Sequence, residues 1–193
     1  MNTPISYSPE TYKKNDGELN STLSNLFADA TYEMSNPVFN KMSGKNIDIV
    51  LLNNGGIRSI ISKGNISEKT AFELMPFENS IVVLELSGLS IIKMIDYLRK
   101  VKLQHPISGL QITLNNDYSV NEVKINGVSI ENEKKYYVAT TDYLLEGGDK
   151  MYFLAETTKT TDINYKMRDI LIDYFKKYDT CLLYTSPSPR DTI

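Results

Sequence analysis

The chain has 193 residues, of which 41% are hydrophobic, so it is long enough to bury one core and too short for two full domains. Its 21 basic and 24 acidic residues lie mixed along the sequence and give a formal net charge of -3, which argues against the basic stripe that binds nucleic-acid backbones. The sequence has no run of about 18 apolar residues that could span a membrane and no secretory signal, so we expect a cytoplasmic protein or one whose signal lies outside this sequence.

The residues from Cys181 onward differ in character from the rest of the chain. They read CLLYTSPSPRDTI and follow a helical pattern that ends near Tyr178. This string resembles translated sequencing-adapter sequence, so we expect residues 181–193 to be non-native and the native C-terminus to be cut short. The alternative is a genuine disordered Ser/Pro tail. Without Cys181 the chain has no cysteine, which suits an exported protein but does not require export.

Helical and extended patterns alternate along the remaining chain. This alternation predicts an α+β fold of layered helices and mixed sheets over residues 19–180, after an extended lead-in over residues 1–18. Apolar residues from Leu19 to Ala30 recur at helical spacing, and Asn36-Pro37 is expected to kink or end this first helix. Residues 47–52 predict a buried strand that ends in a glycine turn.

The second half of the chain continues the alternation. Residues 68–74 predict a short helix capped by Ser67, and residues 81–86 predict a strand followed by a helix capped by Ser87. A strand pair is predicted at 110–114 and 120–125, with a hairpin turn at Asn126-Gly127. Residues 136–140 predict a strand that enters a second glycine turn, and residues 162–177 a last helix. We expect the helices outside one or two mixed sheets, with loops at strand ends forming a pocket.

The glycine turn after the first strand reads Asn53-Asn54-Gly55-Gly56-Ile57-Arg58. Glycines let backbone amides approach a ligand, and a planar guanidinium can hold a phosphate or carboxylate through two hydrogen bonds. The alternative is an ordinary tight loop with a solvated arginine.

Two further strings place aromatic and polar side chains at strand ends. In Met75-Pro76-Phe77-Glu78-Asn79, the phenyl ring could face a base and the carboxamide could bond its edge, although such a phenylalanine is more often a core residue. The string at residues 141–149 supplies Tyr143, two glycines and Asp149, whose carboxylate could accept hydrogen bonds from ribose hydroxyls. Taken alone, its Gly-Gly-Asp is also an ordinary turn.

Together and in this order, these strings resemble the C-terminal domain of the 5'-nucleotidase and UDP-sugar hydrolase family. The family is marked by an N-x-G-G-I-R loop, a P-F-x-N turn and a late G-G-D loop that follows an aromatic residue. The segment LSNLFADA at residues 23–30 is also similar to the family's L-G-N-L-x-A-D-A segment. The resemblance covers residues 18 to 178 approximately.

The resemblance implies a role for each matching residue. Arg58 would contact substrate phosphate, and Phe77 and Tyr143 would stack on the base. Asn79 would bond the base and Asp149 the ribose hydroxyls. The remaining residues implied in the site would contribute backbone, namely Gly109 beside the base and, in the two glycine loops, Asn54, Gly55, Gly56, Gly147 and Gly148. One departure is that the family's additional arginines before the first helix have no matching motif here. The chain offers only Lys13 and Lys14 near that point, and a lysine lacks the bidentate fork of an arginine.

The resemblance also implies that catalysis is metal-assisted hydrolysis by a pair of divalent ions in a separate N-terminal metallophosphoesterase domain. The only histidine of this chain is His105, which we interpret as a loop residue with a local hydrogen bond rather than a metal ligand. We therefore expect no cofactor in this chain. Three hypotheses follow: the recognition half of a hydrolase whose metal domain is on another polypeptide or lost by truncation, a stand-alone nucleotide- or nucleoside-binding module, or a domain that binds no nucleotide. Family members are usually exported, which implies the periplasm or cell surface.

Overall fold

The computed structural model describes residues 1–178, in which strands and helices alternate, and this confirms the α+β class. The strands are β1 (Pro4–Ser8), β2 (Ile49–Leu51), β3 (Gly64–Ser67), β4 (Ser80–Ser87), β5 (Ile107–Ser108), β6 (Leu110–Leu114), β7 (Val120–Ile125), β8 (Val128–Ser129), β9 (Lys135–Thr141) and β10 (Lys159–Lys166). The helices are α1 (Thr22–Ser43), α2 (Glu68–Leu74), α3 (Gly88–Val101), α4 (Asp142–Leu145) and α5 (Met167–Lys177). The predicted non-native tail at 181–193 lies outside the described residues.

A five-stranded mixed sheet with the order β10-β4-β9-β2-β5 forms the centre of the fold. Strands β2 and β9 are parallel, and every other neighbouring pair in this sheet is antiparallel. The C-terminal ends of β2, β9 and β10 therefore lie along the same edge as the N-terminal ends of β4 and β5. We call this the loop edge, because the segments 53–58, 76–79, 104–106 and 142–149 all leave or enter the sheet there.

The sheet separates two hydrophobic cores, because successive side chains of a strand point to opposite faces. In β2, Ile49 and Leu51 belong to the core that α3 covers, whereas Val50 and the following Leu52 belong to the core that α1, α2 and α5 cover. Strands β4 and β9 alternate in the same way. This two-sided burial explains why residues 47–52 read as a continuous apolar run rather than as an alternating one.

Two smaller sheets complete the architecture. Strand β1 pairs with β3, and β6, β7 and β8 form an antiparallel meander. Asn126 and Gly127 join β7 to β8 with φ values of 50° and 80°, which confirms the predicted hairpin turn. The predicted capped helix at 68–74 is also confirmed, since Ser67 and Thr70 form a capping box at the start of α2.

The first and last helices have bounds that differ from the predicted ones. Helix α1 begins at Thr22, where the Ser21 hydroxyl accepts from the Ser24 amide, and it continues through Pro37 to Ser43. The proline is tolerated because its ring lies on the exposed side while Phe39, two residues on, is buried in the core. The lead-in over residues 1–18, which the sequence predicts to be extended, contributes the paired strand β1.

The last helix begins at Met167, five residues later than predicted. Residues 159–166 form β10, which pairs with β4 and includes a register shift between Asp162 and Lys166. Ile163 fits the helical spacing, but it lies in β10, and its side chain is buried there. Asn164 takes a φ of 51° within the register shift. Pairing with the edge of a central sheet has thus overridden the helical pattern.

Candidate functional site

The first element of the candidate site is the segment 53–58, which we call the arginine loop. Its conformation is fixed by backbone hydrogen bonds, because the Gly56 amide donates to the Asn53 carbonyl at 3.2 Å and the Arg58 amide donates to the Leu74 carbonyl at 2.9 Å. The Arg58 side chain is exposed, and its guanidinium carbon lies 5.1 Å from the centre of the Phe77 ring. The loop therefore presents a cation beside an aromatic face.

A second cation lies against the arginine loop. Lys14 of the lead-in donates from Nζ to the Ile57 carbonyl at 2.9 Å. Burial, and then the charge of Arg58, lower the pKa of the Lys14 ammonium. Lys14 and Arg58 are thus like charges held close together, and an anion beside the arginine loop would neutralise both.

The turn 76–79 carries Phe77 to the same loop edge. The Phe77 side chain is 37% exposed, so it is not a core residue. Its neighbour Glu78 is anchored by Lys166 and Arg168 at the junction of β10 and α5. The hydrogen bonds from Lys166 and Arg168 lower the pKa of Glu78 to about 2, so this carboxylate stays ionised and the turn stays tethered under ordinary conditions.

The segment 142–149, which we call the aspartate loop, carries the second aromatic residue. Tyr143 is 43% exposed, and its hydroxyl donates to a carboxylate oxygen of Asp149 at 3.1 Å. Gly147 has a φ of 96°, and Asp149 takes the left-handed conformation at φ 51°, which is uncommon for a residue with a side chain. Gly148 lies directly under Tyr143, because a Cβ at this position would be 2.4 Å from the ring.

Asp142 connects the aspartate loop to the turn that carries Phe77. One of its carboxylate oxygens accepts from the Ser80 amide at 3.1 Å, and the Asn79 carbonyl accepts from the Met167 amide at 3.0 Å. Strands β4 and β9 are neighbours in the sheet, so Phe77 before β4 and Tyr143 after β9 stand at adjacent strand ends. Both rings are exposed at one edge.

Sequence reasoning missed two residues that lie among these loops. Tyr97 of α3 donates its hydroxyl to the Asp149 carbonyl at 2.8 Å. His105 is only 3% exposed, and its Nδ1 atom accepts from the Asn54 amide at 3.2 Å. His105 is a loop residue as predicted, but the prediction of a local hydrogen bond was wrong, because its imidazole contacts the backbone of Asn54 and Leu52, which are distant in sequence. Its place between the two loops follows from the short strand β5, which sequence patterns do not reveal. Tyr97 sits within an ordinary amphipathic helix and carries no sequence signal.

Of the other predicted site residues, Asn79 is half-buried at the loop edge, and Asn54, Gly55 and Gly56 lie in the arginine loop. Gly109 lies elsewhere. It follows β5 with a φ of 76°, and a Cβ there would be 2.0 Å from the Asp48 carbonyl oxygen, at the opposite end of β2 from the arginine loop. Its glycine is therefore required by the close approach of two backbones, and its contact to a base stays a prediction.

A separate cavity of about 380 Å³ lies between the start of α1, the end of α3 and the β6–β7 hairpin. Its walls include apolar residues such as Leu98 and Leu110, and His105 is the residue it shares with the candidate site. The arginine and aspartate loops do not line it. We therefore place the candidate site at the exposed loop edge, where the aromatic and charged groups converge, and not in this cavity.

The described residues offer no arrangement suited to metal catalysis. Within residues 1–178, no three histidine, cysteine, aspartate or glutamate side chains are grouped so that they could hold a metal ion. The site therefore does not fit a pair of divalent ions, and its residues can bind and orient a ligand. Chemically, it offers cations beside one exposed ring and a carboxylate beside another, which suits a flat heterocycle joined to hydroxyls and an anion.

Comparison with known proteins identifies the family. The model of the family described as "5'-nucleotidase, C-terminal domain" matches residues 4–156. The chain belongs to this family. Among curated relatives, protein UshA of Escherichia coli is 32% identical over 115 residues, which are 56% of this chain and 20% of UshA. The trifunctional nucleotide phosphoesterase protein YfkN of Bacillus subtilis is 33% identical over 143 residues, which are 67% of this chain and 10% of YfkN.

Solved structures share the fold of this 5'-nucleotidase C-terminal domain. The 5'-nucleotidase precursor from Thermus thermophilus superposes with a TM-score of 0.79 at 24% identity, over 93% of this chain and 38% of that one. The NAD nucleotidase of Haemophilus influenzae gives a TM-score of 0.73 at 17% identity, over 95% of this chain and 37% of that one. The chain thus spans about a fifth of UshA and less than two fifths of these structures. None of the helices within residues 1–178 combines the length and apolar character that a membrane span requires.

Proposed function

We propose that this domain binds a nucleotide as the recognition half of a 5'-nucleotidase-type phosphohydrolase. The observation that carries the proposal is the pair of exposed rings, Phe77 and Tyr143, at adjacent strand ends. One ring lies beside the Arg58 guanidinium and the other is hydrogen-bonded to Asp149. A base between or upon the rings would direct its ribose toward Asp149 and its phosphate toward Arg58, with Asn79 at the base edge.

Hydrolysis in this proposal takes place on a metallophosphoesterase domain outside the described residues, on the same or a separate polypeptide. The chain spans only a fifth of UshA, which leaves room for such a domain in the relatives. We expect the purified chain to show no phosphatase activity with added Mn²⁺ or Zn²⁺, because it has no grouped metal ligands within residues 1–178. Turnover by this chain alone would contradict the assignment of catalysis to another domain.

The second candidate function is a stand-alone nucleotide- or nucleoside-binding module without turnover. It uses the same residues, so the same binding measurements apply to both candidates. The two candidate functions predict different neighbouring genes. A neighbouring reading frame that encodes a metallophosphoesterase domain would support the recognition half of a hydrolase. In either case we propose export to the periplasm or cell surface. In support, this chain has a relative in Listeria monocytogenes that is named cell wall protein Lmo0130, and the two proteins are 29% identical over 81% of this chain.

Calorimetric titration with adenosine tests the base-binding role. Phe77→Ala and Tyr143→Ala should each weaken adenosine binding by about 1–3 kcal/mol, the usual effect of removing an aromatic side chain that stacks on a base. Tyr32→Ala is the matched control, because Tyr32 is 38% exposed but lies on α1, away from the loop edge. Affinity that both site variants leave unchanged would rule out the aromatic site.

A further inference from the structure

His105 stands between two hydrogen-bonding groups that it cannot serve at the same time. Its Nδ1 atom lies 3.2 Å from the Asn54 amide nitrogen and 3.3 Å from the Leu52 carbonyl oxygen. The amide can only donate, so that contact requires an unprotonated Nδ1. The carbonyl can only accept, so that contact requires a proton on Nδ1. In the neutral tautomer that carries its proton on Nε2, Nδ1 accepts from the Asn54 amide. Protonation of this tautomer exchanges the amide for the Leu52 carbonyl and leaves the Asn54 amide without its acceptor.

The same imidazole belongs to a chain of contacts between the two loops of the site. On one side, Asn54 opens the glycine turn of the arginine loop, and its side chain also donates to the Gln104 carbonyl at 2.9 Å. On the other side, the Tyr97 ring lies 6.1 Å from the imidazole centre, and the Tyr97 hydroxyl donates to the Asp149 carbonyl. A path of direct contacts thus runs from the loop that carries Arg58 to the loop that carries Asp149.

The surroundings of His105 favour its neutral form. Burial lowers the pKa of the imidazole, and this effect outweighs the opposing charge of Asp149 and the Leu52 carbonyl. The other titratable groups facing it are the Tyr97 hydroxyl and, across the cavity, Arg99, Glu122 and Lys124. Within the described residues, Nε2 is buried and has no hydrogen-bond partner.

We propose that His105 and Tyr97 are positioning residues that hold the arginine and aspartate loops together, and that protonation of His105 releases the arginine loop and weakens ligand binding. This inference rests on the proposed function, since it names what controls that site. Neither residue contacts the ligand in this arrangement. The neutral imidazole holds the Asn54 amide, and the phenol holds the backbone of Asp149.

The release of the loop can be tested without any ligand. His105 is the only histidine in the sequence, so its imidazole protons give unambiguous NMR signals. We expect them to titrate below the range of a solvent-exposed histidine, because the pKa of His105 is lowered by burial. The Asn54 amide signal should shift with the same midpoint. An Asn54 amide that does not respond while the imidazole titrates would overturn the proposal.

AMP affinity provides the second test, because the proposed ligand of the arginine loop is the phosphate. Titration of the phosphate itself is common to the wild type and to His105→Gln, which keeps a hydrogen-bonding side chain that does not titrate. Between neutral pH and one unit below the measured His105 midpoint, the wild-type protein should lose about tenfold more AMP affinity than His105→Gln, the effect of one hydrogen bond. Tyr97→Phe should weaken binding at every pH and keep the wild-type pH profile.

The outcomes separate the two proposals. A loss of AMP affinity that is as large in His105→Gln as in the wild type would not come from the imidazole and would overturn the role of His105. Wild-type affinity that is constant across the imidazole titration would overturn it as well. If AMP does not bind at any pH, the proposed function fails, and the shared NMR midpoint of His105 and Asn54 still decides whether protonation releases the loop.

Discussion

The arginine loop and the aspartate loop both contain adjacent glycines after a buried strand, yet they are stabilised in different ways. The arginine loop is tied to neighbouring segments, because the Arg58 amide donates to the Leu74 carbonyl and the Asn54 amide donates to His105, while Arg58 itself is exposed and Gly55 has no close neighbour. The aspartate loop is tied largely within itself, by backbone hydrogen bonds such as that from the Gly147 amide to the Leu144 carbonyl and by the hydrogen bond that fixes Tyr143 to Asp149. Part of its backbone lies in the left-handed region.

This difference matches the roles proposed for the two loops. A phosphate is a diffuse charge that a flexible guanidinium or ammonium can follow, so the loop need only bring cations close. A ribose and a base require donors, acceptors and ring faces at fixed positions, so side-chain freedom there would weaken binding. The contrast therefore predicts that the arginine loop tolerates backbone changes and is sensitive to loss of charge, whereas the aspartate loop is sensitive to backbone changes.

The largest effect is expected from removing the charge of the arginine loop. Arg58→Ala should weaken AMP binding by about 1.5–3 kcal/mol, the range for hydrogen bonds to charged groups, and should change adenosine binding much less. Lys14→Ala should act in the same direction with a smaller loss, because a single ammonium lacks the bidentate fork and its Nζ already donates to the Ile57 carbonyl. Calorimetric titration with both ligands measures the two losses.

Lys13→Ala is the control for these variants, because Lys13 is exposed and adjacent in sequence to Lys14. It removes the same overall charge without a contact to the arginine loop. If Arg58→Ala weakens the binding of AMP and adenosine equally, the role of Arg58 is structural. If Lys13→Ala weakens AMP binding as much as Lys14→Ala does, Lys14 contributes only its overall charge.

The next effect comes from adding one methyl group to each loop. In Gly148→Ala the new Cβ would lie 2.4 Å from the Tyr143 ring and 2.6 Å from the Tyr143 carbonyl oxygen, so backbone must move. We expect a loss of about 1–3 kcal/mol in the free energy of unfolding, as for overpacked sites, together with weaker adenosine binding. Thermal and urea denaturation measure the first effect.

Gly55→Ala is the matched variant in the arginine loop. Its Cβ would have one neighbour, the Asn53 side-chain nitrogen at an ordinary 3.7 Å, and Gly55 is not in the left-handed region. We expect its stability to be unchanged or slightly raised, because alanine restricts the unfolded chain. A loss in Gly55→Ala as large as in Gly148→Ala would remove the contrast between the loops.

Much of the fold could be predicted from residue patterns, because strands buried on both faces and capped helices have strong local signals. The buried run at 47–52, the Ser67 and Ser87 caps and the Asn126-Gly127 turn are of this kind. The errors arose where tertiary contacts outweighed local preference. Pro37 remains inside α1 because the helix buries Phe39, and residues 162–166 extend the sheet although their spacing suits a helix.

The site could be predicted in part for a similar reason. Loops at strand ends carry their chemistry in contiguous strings, so Arg58, Phe77 and Tyr143 were found by reading along the chain. Tyr97 and His105 come close to those residues only through the sheet topology. Strand β5 places residue 105 beside β2, and α3 covers the face of the sheet that carries Leu51. The base, ribose and phosphate roles stay predictions that the variants above would test.

The smallest expected effect concerns the strain in the aspartate loop. Lys150 follows Asp149, is exposed and has a φ of 61°. A left-handed residue with a side chain costs roughly 1–2 kcal/mol, and glycine there would remove that cost while losing about 0.5–1 kcal/mol through the entropy of the unfolded chain. Lys150→Gly should therefore raise the free energy of unfolding by about 0.5–1 kcal/mol in urea denaturation. Lys63→Gly, at an exposed lysine with ordinary φ, should lower it. If both variants lower stability, the left-handed backbone of the aspartate loop carries no strain, and its rigidity must come from its hydrogen bonds, including those that Tyr143 and Tyr97 donate to Asp149.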